Sequence, residues 1–163
     1  MQLNAAQIRD LLPHTGAMCL LECVVECTAD TILCSTRTHL LATHPLRSAL
    51  GLGSAIAIEY AAQAMALHAG LQLPTHPTLD AGPAHGVLAS VRRVALNRPY
   101  LDDTDADLMV RATVLTYDVM SALYSFEVSA QGQEIVAGRT AVIFAMATQD
   151  GPALPPTHSG ERS

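Results

Sequence analysis

The chain of 163 residues has no lysine and no tryptophan, and only 4% of its residues are aromatic. Its nine cationic side chains are therefore all arginines, and the formal net charge is −6. Nucleic-acid binding needs a concentrated cationic surface, which an acidic, lysine-free chain does not offer. We therefore expect no nucleic-acid partner. One small basic group, Arg92, Arg93 and Arg98, fits either an acidic or phosphorylated partner or ordinary solvated strand residues.

Long apolar runs are also absent, although half of the residues are hydrophobic. No run approaches the roughly 18 apolar residues of a membrane-spanning helix, because Glu59 and Gln63 interrupt the longest one. The N-terminus, MQLNAAQIRD, lacks the cationic start and apolar segment of a secretory signal. These absences predict a cytoplasmic protein without membrane insertion.

The four cysteines lack the CxxC pairs of a zinc site. They are Cys19, Cys23, Cys27 and Cys34. In a reducing compartment such residues are most simply small core side chains, with redox chemistry or metal binding as the alternative. We predict no metal site from them or from the scattered histidines.

Turn residues divide the chain into a hairpin, one helix and a series of strands. Ser54 is the expected N-cap of the helix and Gly70 its stop. β-branched content and flanking turns predict strands at 18–27, 31–38, 86–96, 106–117, 120–130 and 134–147. A Pro- and Gly-punctuated loop spans 71–85. We expect a single domain over residues 1–148 and a disordered tail over 149–163.

The helix over residues 54–70 contains seven alanines and is apolar on nearly every side. A helix of this kind must be surrounded by other elements. One curved antiparallel sheet wrapped around it meets that need, which predicts an α+β protein with the hot-dog fold. A two-layer sandwich would leave one face of the helix in water.

Glu59 is the only charged residue of this helix, and burial of a carboxylate is unfavourable unless it is paired or used. Gln63 lies one turn further on the same face. His39 and His44 in the preceding loop are the candidate partners, and Pro45 restricts His44 to an extended conformation that suits a residue facing a cleft.

A glutamate and a histidine in an apolar pocket can exchange protons with one substrate. The backbone N–H groups around Ser54 and Ala55 are candidates to bind a carbonyl oxygen. Two reactions fit such a site: loss of a hydroxyl after proton abstraction beside a carbonyl, and thioester hydrolysis. The spacing does not separate them.

Four separated segments resemble the 3-hydroxyacyl-acyl-carrier-protein dehydratases, and cover roughly residues 11–144. They are LPH followed by MCLLE, the helix motif IEYAAQA, GVLASV followed by Arg98-Pro99, and QGQEIVAGRTAVIF. The loop THPLRSALGLG departs from the usual Gly-His-Phe-Pro pattern. It is more similar, with the helix ending HAG, to the divergent aryl-polyene subgroup.

The resemblance implies a hot-dog homodimer, or a multiple of dimers, that acts without metal or organic cofactor. Its substrate would be an acyl-carrier-protein or CoA thioester in fatty-acid or polyene-type biosynthesis. The catalytic pair would be Glu59 and His44 of the partner subunit, with Gln63, Ser54 and Ala55 contacting substrate or supporting the site. A hot-dog thioesterase and a non-catalytic acyl-binding subunit are the alternatives.

Overall fold

The computed structural model describes residues 2–72, 85–118 and 120–145. Within these residues the chain forms seven strands and two α-helices. In chain order they are β1 (Leu3–Asn4), α1 (Ala5–Leu11), β2 (Cys23–Cys27), β3 (Thr31–Thr36), α2 (Ala57–Gln72), β4 (His85–Leu96), β5 (Leu108–Tyr117), β6 (Ser121–Ala130) and β7 (Gln133–Ala145).

The strands form one antiparallel sheet in the order β1-β2-β3-β5-β6-β7-β4. Alternate residues of β6 are buried, as period-2 patterning requires when one face of a sheet is covered. The connection through α2 carries the chain from β3, in one half of the sheet, to β4 at the far edge. The alternation in β6 shows that only one face of the sheet is deeply buried.

Helix α2 covers that face and packs against β3, β5 and β6. Its buried side chains include Tyr60, Met65 and Leu67, which belong to the main hydrophobic core. The hot-dog arrangement predicted from the sequence is thus confirmed. A half-buried stripe along the helix remains in the single chain, formed by Ile58, Glu59, Ala62, Ala66 and Ala69.

The predicted helix boundaries were wrong by several residues. Residues Ser54–Ile56 form a 3-10 turn with Gly53 as its N-cap, and α2 begins at Ala57. Ser54 is therefore not the N-cap of α2. The helix also continues past Gly70 to Gln72.

The first predicted strand, 18–27, was too long at its start. A 3-10 turn occupies Gly16–Met18, and only Cys23–Cys27 joins the sheet. The Met18 carbonyl and the N–H and carbonyl of Leu20 bond to side chains instead, and these bonds build the site described below. The other strand predictions are confirmed to within two residues where the structure describes them.

Two other expectations lie outside the described residues: most of the loop over 71–85, of which 73–84 are not described, and the tail over 149–163. Among the helices that the structure describes, none is long and apolar enough to cross a membrane.

Candidate active site

Glu59 is held by Gln63, one helical turn further along α2. Gln63 Nε2 donates to Glu59 Oε1 at 3.1 Å and to Met18 O at 2.8 Å. Its Oε1 accepts from the Leu20 N–H at 2.9 Å. Gln63 is completely buried, so its amide fixes both the carboxylate and the segment from Met18 to Leu20 against the helix.

His14 is the second group on the carboxylate. Its Nε2 lies 3.1 Å from Glu59 Oε1, and the two side chains are 30% and 33% exposed. Glu59 is thus less buried in the single chain than its apolar helix predicted. Both contacts fall on Oε1, and Oε2 has no partner among the described residues. One oxygen of Glu59 is therefore anchored and the other is open to a ligand.

The Leu20 peptide connects this cluster to a second one. Its carbonyl oxygen accepts hydrogen bonds from the hydroxyls of Thr36 and Thr38, each at 2.7 Å. The Thr38 hydroxyl lies 2.9 Å from the Tyr60 hydroxyl. Since Thr38 donates to Leu20, it is the Tyr60 hydroxyl that donates to Thr38. Burial raises the pKa of Tyr60 to about 12, so that hydroxyl stays protonated at neutral pH.

His44 ends this chain of hydrogen bonds. Its Nδ1 accepts from the Leu46 N–H at 3.1 Å, which places the ring proton on Nε2, 3.0 Å from the Tyr60 hydroxyl. The residue is 4% exposed. The expectation that His44 faces a cleft is therefore wrong for the single chain. Burial, followed by the nearby charges of Arg47 and His39, lowers the pKa of His44.

The structure does not bring His44 into contact with Glu59 of the same chain. It joins them through one continuous network instead, from His14 and Glu59 through Gln63 to the Leu20 peptide, then through Thr38 and Tyr60 to His44. Glu59, Gln63 and His44, which the sequence analysis singled out, all belong to this network. Both ring nitrogens of His44 are occupied, whereas Glu59 keeps an open oxygen.

Arg47 fixes the loop that carries His44. Its guanidinium forms an ion pair with Asp102 and donates to His39 O at 2.6 Å. Asp102 Oδ1 in turn accepts from the Leu52 N–H at 3.0 Å. His39, the other candidate in this loop, is fully buried and its Nε2 bonds to Thr104 O. His39 is therefore part of the loop packing and does not reach Glu59.

The turn before α2 lines an open cleft of about 450 Å³. Its walls are Gly53, Ser54, Ala55, Leu96, Asn97, Arg98 and Pro99. The Ser54 N–H donates to Pro99 O and the Ile56 N–H to Gly53 O, each at 3.0 Å. The expectation that the amides around Ser54 bind a carbonyl oxygen therefore fails for Ser54. Ala55 is exposed at the cleft, and no acceptor for its N–H is seen in the described part of the chain.

Other polar residues of the helix and sheet have structural roles. His68, on the opposite side of α2 from Glu59, is buried between the Tyr124 hydroxyl and Thr28 O, at 3.1 and 3.0 Å. The four cysteines are free, and burial raises the pKa of Cys34 to about 12. Cys34 is thus an unreactive core side chain, as predicted.

Sequence reasoning missed the contact of His14 with Glu59 and the link from Tyr60 to His44. His14 was visible within the LPH segment, but a turn before an apolar strand explains such a motif equally well. Tyr60 follows Glu59 directly, and only the tertiary structure shows that its hydroxyl meets His44.

Solved structures with similar folds include dehydratases and thioesterases. The dehydratase heterocomplex ApeI:P from Xenorhabdus doucetiae has a TM-score of 0.70 at 24% identity, over 88% of this chain and 91% of the other. A thioesterase from Haemophilus influenzae reaches 0.65 at 12% identity, over 91% and 96%. AziG from S. sahachiroi reaches 0.60 at 14% identity, over 83% and 98%. These neighbours define the class as hot-dog proteins.

The family model of the ApeP-like dehydratases, described as ApeP dehydratase, matches residues 6–150. The chain belongs to the ApeP-like dehydratase family. The match confirms the resemblance to the aryl-polyene type of dehydratase and supports dehydration of a 3-hydroxyacyl thioester, with thioester hydrolysis only a secondary possibility. No curated protein sequence matches the chain.

Proposed function

We propose that this protein removes water from a 3-hydroxyacyl thioester, with Glu59 as the carboxylate that takes part in proton transfer. The observation that carries the proposal is the asymmetry of the carboxylate, with Oε1 held by two partners and Oε2 open. A group fixed in this way can approach one carbon of a bound substrate repeatedly in the same geometry.

The second group is His44 of the partner subunit. Its Nε2 carries the ring proton in this arrangement, whereas Oε2 of Glu59 is free to accept one. Glu59 would take the proton from C2 of the thioester, and the C3–O bond would break as the hydroxyl receives the proton of His44 Nε2. A C2=C3 double bond and one water result. For this step the His44 ring must leave Tyr60.

The cleft beside Ala55 is the proposed entrance for the substrate and its carrier. Arg98 lines it and is oriented by a 2.5 Å hydrogen bond from Nη2 to Gln133 Oε1. A phosphopantetheine arm, which an acyl-carrier protein and CoA share, would present a phosphate to this cation. Ser54 and Ala55 would contact the same arm, and Gln63 would act by holding Glu59.

The active form is proposed to be a dimer. Strand β4 ends the sheet and pairs only with β7 among the described residues. It exposes the apolar side chains Val87, Leu88, Val94 and Leu96. An unprotected apolar edge is a template for another strand. A second copy paired there would place one subunit's site against the other, as the assignment of His44 to the partner requires.

The subunit that pairs along β4 need not be a second copy of this chain. The similar ApeI:P structure is a dehydratase heterocomplex. A related hot-dog subunit with its own site residues is therefore the second candidate for the partner, and would leave the chemistry of Glu59 unchanged.

The test is a turnover assay on the purified protein with 3-hydroxyacyl-CoA and with the same acyl group on an acyl-carrier protein. Formation of the conjugated 2-enoyl thioester, followed by its ultraviolet absorbance, is the expected result. The Glu59→Gln and His44→Ala variants should each lose activity by about 100-fold or more. Glu26→Gln, an exposed carboxylate on β2, is the matched control and should keep full activity.

Release of free thiol without enoyl product would instead establish a thioesterase. Acyl binding without turnover of either kind, by the homodimer and by its mixture with a related hot-dog subunit, would overturn the proposal in favour of a binding subunit. A normal rate for His44→Ala beside an inactive Glu59→Gln would remove His44 from the pair and leave Glu59 in place.

A further inference from the structure

We infer that His14 is a positioning residue for the reaction: its Nε2–H, together with the Gln63 amide, holds Oε1 of Glu59 so that Oε2 faces the substrate. The inference rests on the proposed function of Glu59 and adds a residue that the catalytic pair does not include. Its basis is the 3.1 Å contact between His14 Nε2 and Glu59 Oε1.

The backbone on either side of His14 is held by several contacts, while Nδ1 of its ring is buried without a hydrogen-bond partner among the described residues. Gly16 adopts φ = 58°, the left-handed region that favours glycine, and this turn folds the segment back across the helix. The His14 carbonyl accepts from Cys19 Sγ at 3.0 Å. Beyond the turn, Gln63 binds Met18 O and the Leu20 N–H. The same glutamine therefore fixes both the carboxylate and the segment that presents His14.

Gln63 and His14 both approach the same carboxylate oxygen, Oε1 of Glu59. Gln63 has two amide hydrogens, and one goes to Met18 O while the other goes to Glu59 Oε1. His14 approaches the same oxygen with Nε2. A glutamate carboxylate that accepts a hydrogen bond from a single donor can still rotate about its χ3 angle, which is a soft torsion. The His14 ring beside the same oxygen adds a second restraint on that rotation and aims the second oxygen.

A purely stabilising ion pair explains the contact less well. Both side chains are about a third exposed, and ion pairs of this exposure contribute little to stability. Gln63, in contrast, is completely buried with every polar hydrogen satisfied, so the helix does not need His14 for its packing. Removal of the ring should therefore change the reactive geometry more than the fold.

The experiment compares wild type with His14→Leu and His14→Gln in the same thioester assay. Gln retains an N–H near the position of Nε2, and Leu does not. We expect His14→Leu to lower kcat by about 10- to 100-fold with KM nearly unchanged, as a displaced reactive group does. His14→Gln should recover most of that loss. Thermal unfolding midpoints of the three proteins should agree closely.

A double-variant cycle links the effect to Glu59. In the Glu59→Gln background, His14→Leu should lower the residual rate by less than about twofold, because the two residues act as one unit. A full additional loss there would show that His14 acts independently of Glu59. Equal losses for His14→Leu and His14→Gln, or wild-type rates for both, would also overturn the inference while Glu59 remains catalytic.

Failure of the proposed function itself is recognised separately, by absence of turnover in the wild type. In that event ¹⁵N NMR of the His14 ring still decides the inference. Nε2 should be protonated and its resonance should move in Glu59→Gln. A ring signal that is insensitive to Glu59→Gln would show that His14 does not hold the carboxylate.

Discussion

At the scale of single residues, the protein combines an accessible carboxylate with buried neutral histidines. Glu59 is partly exposed and has partners on only one of its two carboxylate oxygens among the described residues, whereas His39, His44 and His68 are buried. His44 and His68 use both ring nitrogens in hydrogen bonds that a second ring proton would disturb, whereas Nδ1 of His39 is buried without a hydrogen-bond partner among the described residues. The clearest case is His68, whose Nδ1 accepts from the Tyr124 hydroxyl while Nε2 donates to Thr28 O.

This arrangement predicts that stability falls in mild acid. Burial lowers the pKa of His39, His44 and His68 from 6.5 in each case. Between 6.5 and the lowered values the unfolded chain binds more protons than the folded one. The stability is therefore fully present above pH 6.5 and is lost as the pH falls below it, by up to about 1.4 kcal/mol per pH unit for each histidine.

Urea unfolding at several pH values between about 5 and 8 measures this slope. In His68→Gln the slope should be smaller by roughly a third, whatever the change in overall stability, because one of three linked groups is absent. A free energy of unfolding that does not vary with pH over this range would contradict the assignment of neutral buried rings.

At the scale of elements, the sequence predicted the order of strands and the central helix because both patterns are local. Alternation in β6 and the alanine-rich run in α2 report directly on burial. The errors fall where a distant group competes for the backbone. Gln63, 45 and 43 residues further along the chain, binds the Met18 carbonyl and the Leu20 N–H, which the first predicted strand would have paired in the sheet. No pattern within a short window encodes such bonds.

Two glycines in different elements should respond in opposite directions to the same substitution. Gly138 on β7 faces Phe126 on β6, and a Cβ there would lie 2.8 Å from two atoms of the buried ring. Gly70, inside α2, has open space around the position of a Cβ. We therefore expect Gly138→Ala to destabilise the protein by about 1–3 kcal/mol through overpacking, and Gly70→Ala to stabilise it by about 0.5–1 kcal/mol.

Denaturant unfolding of both variants beside the wild type provides the measurement, and each variant is the control for the other. A neutral Gly138→Ala would mean that the Phe126 ring moves aside freely, contrary to its 3% exposure in the core. A destabilising Gly70→Ala would mean that the end of α2 is not helical at this position.

At the scale of the whole molecule, the site could be predicted only in part from the sequence. Glu59 stood out because one charge in an apolar helix is a local anomaly, and Gln63 followed from helical spacing. The orientation of His44 depends on Tyr60, and His14 lies 45 residues before Glu59 in the chain, so that only folding brings the two together. Such contacts arise only when the elements pack together.

The half-buried stripe of α2 and the exposed apolar edge of β4 are the surfaces that the proposed dimer would cover. Glu59 lies in that stripe, while His44 of the same chain is turned inward to Tyr60. If a second subunit pairs along β4, it covers apolar surface and delivers the missing group to the carboxylate. Assembly and activity should then be lost together.

Charges placed on the edge of β4 test this connection. Val87→Lys combined with Val94→Lys should separate the subunits, because both side chains are exposed in the single chain and a folded monomer tolerates the lysines. We expect light scattering to report the 17.2 kDa monomer mass, and the dehydration rate to fall by about 10-fold or more at the same protein concentration. Leu50→Lys also replaces an exposed apolar side chain with lysine, but at a loop residue that is 80% exposed. This variant is the matched control and should remain an active dimer. A doubly substituted protein that stays dimeric would place the interface elsewhere, and a monomer with full activity would show that a single chain contains the complete site.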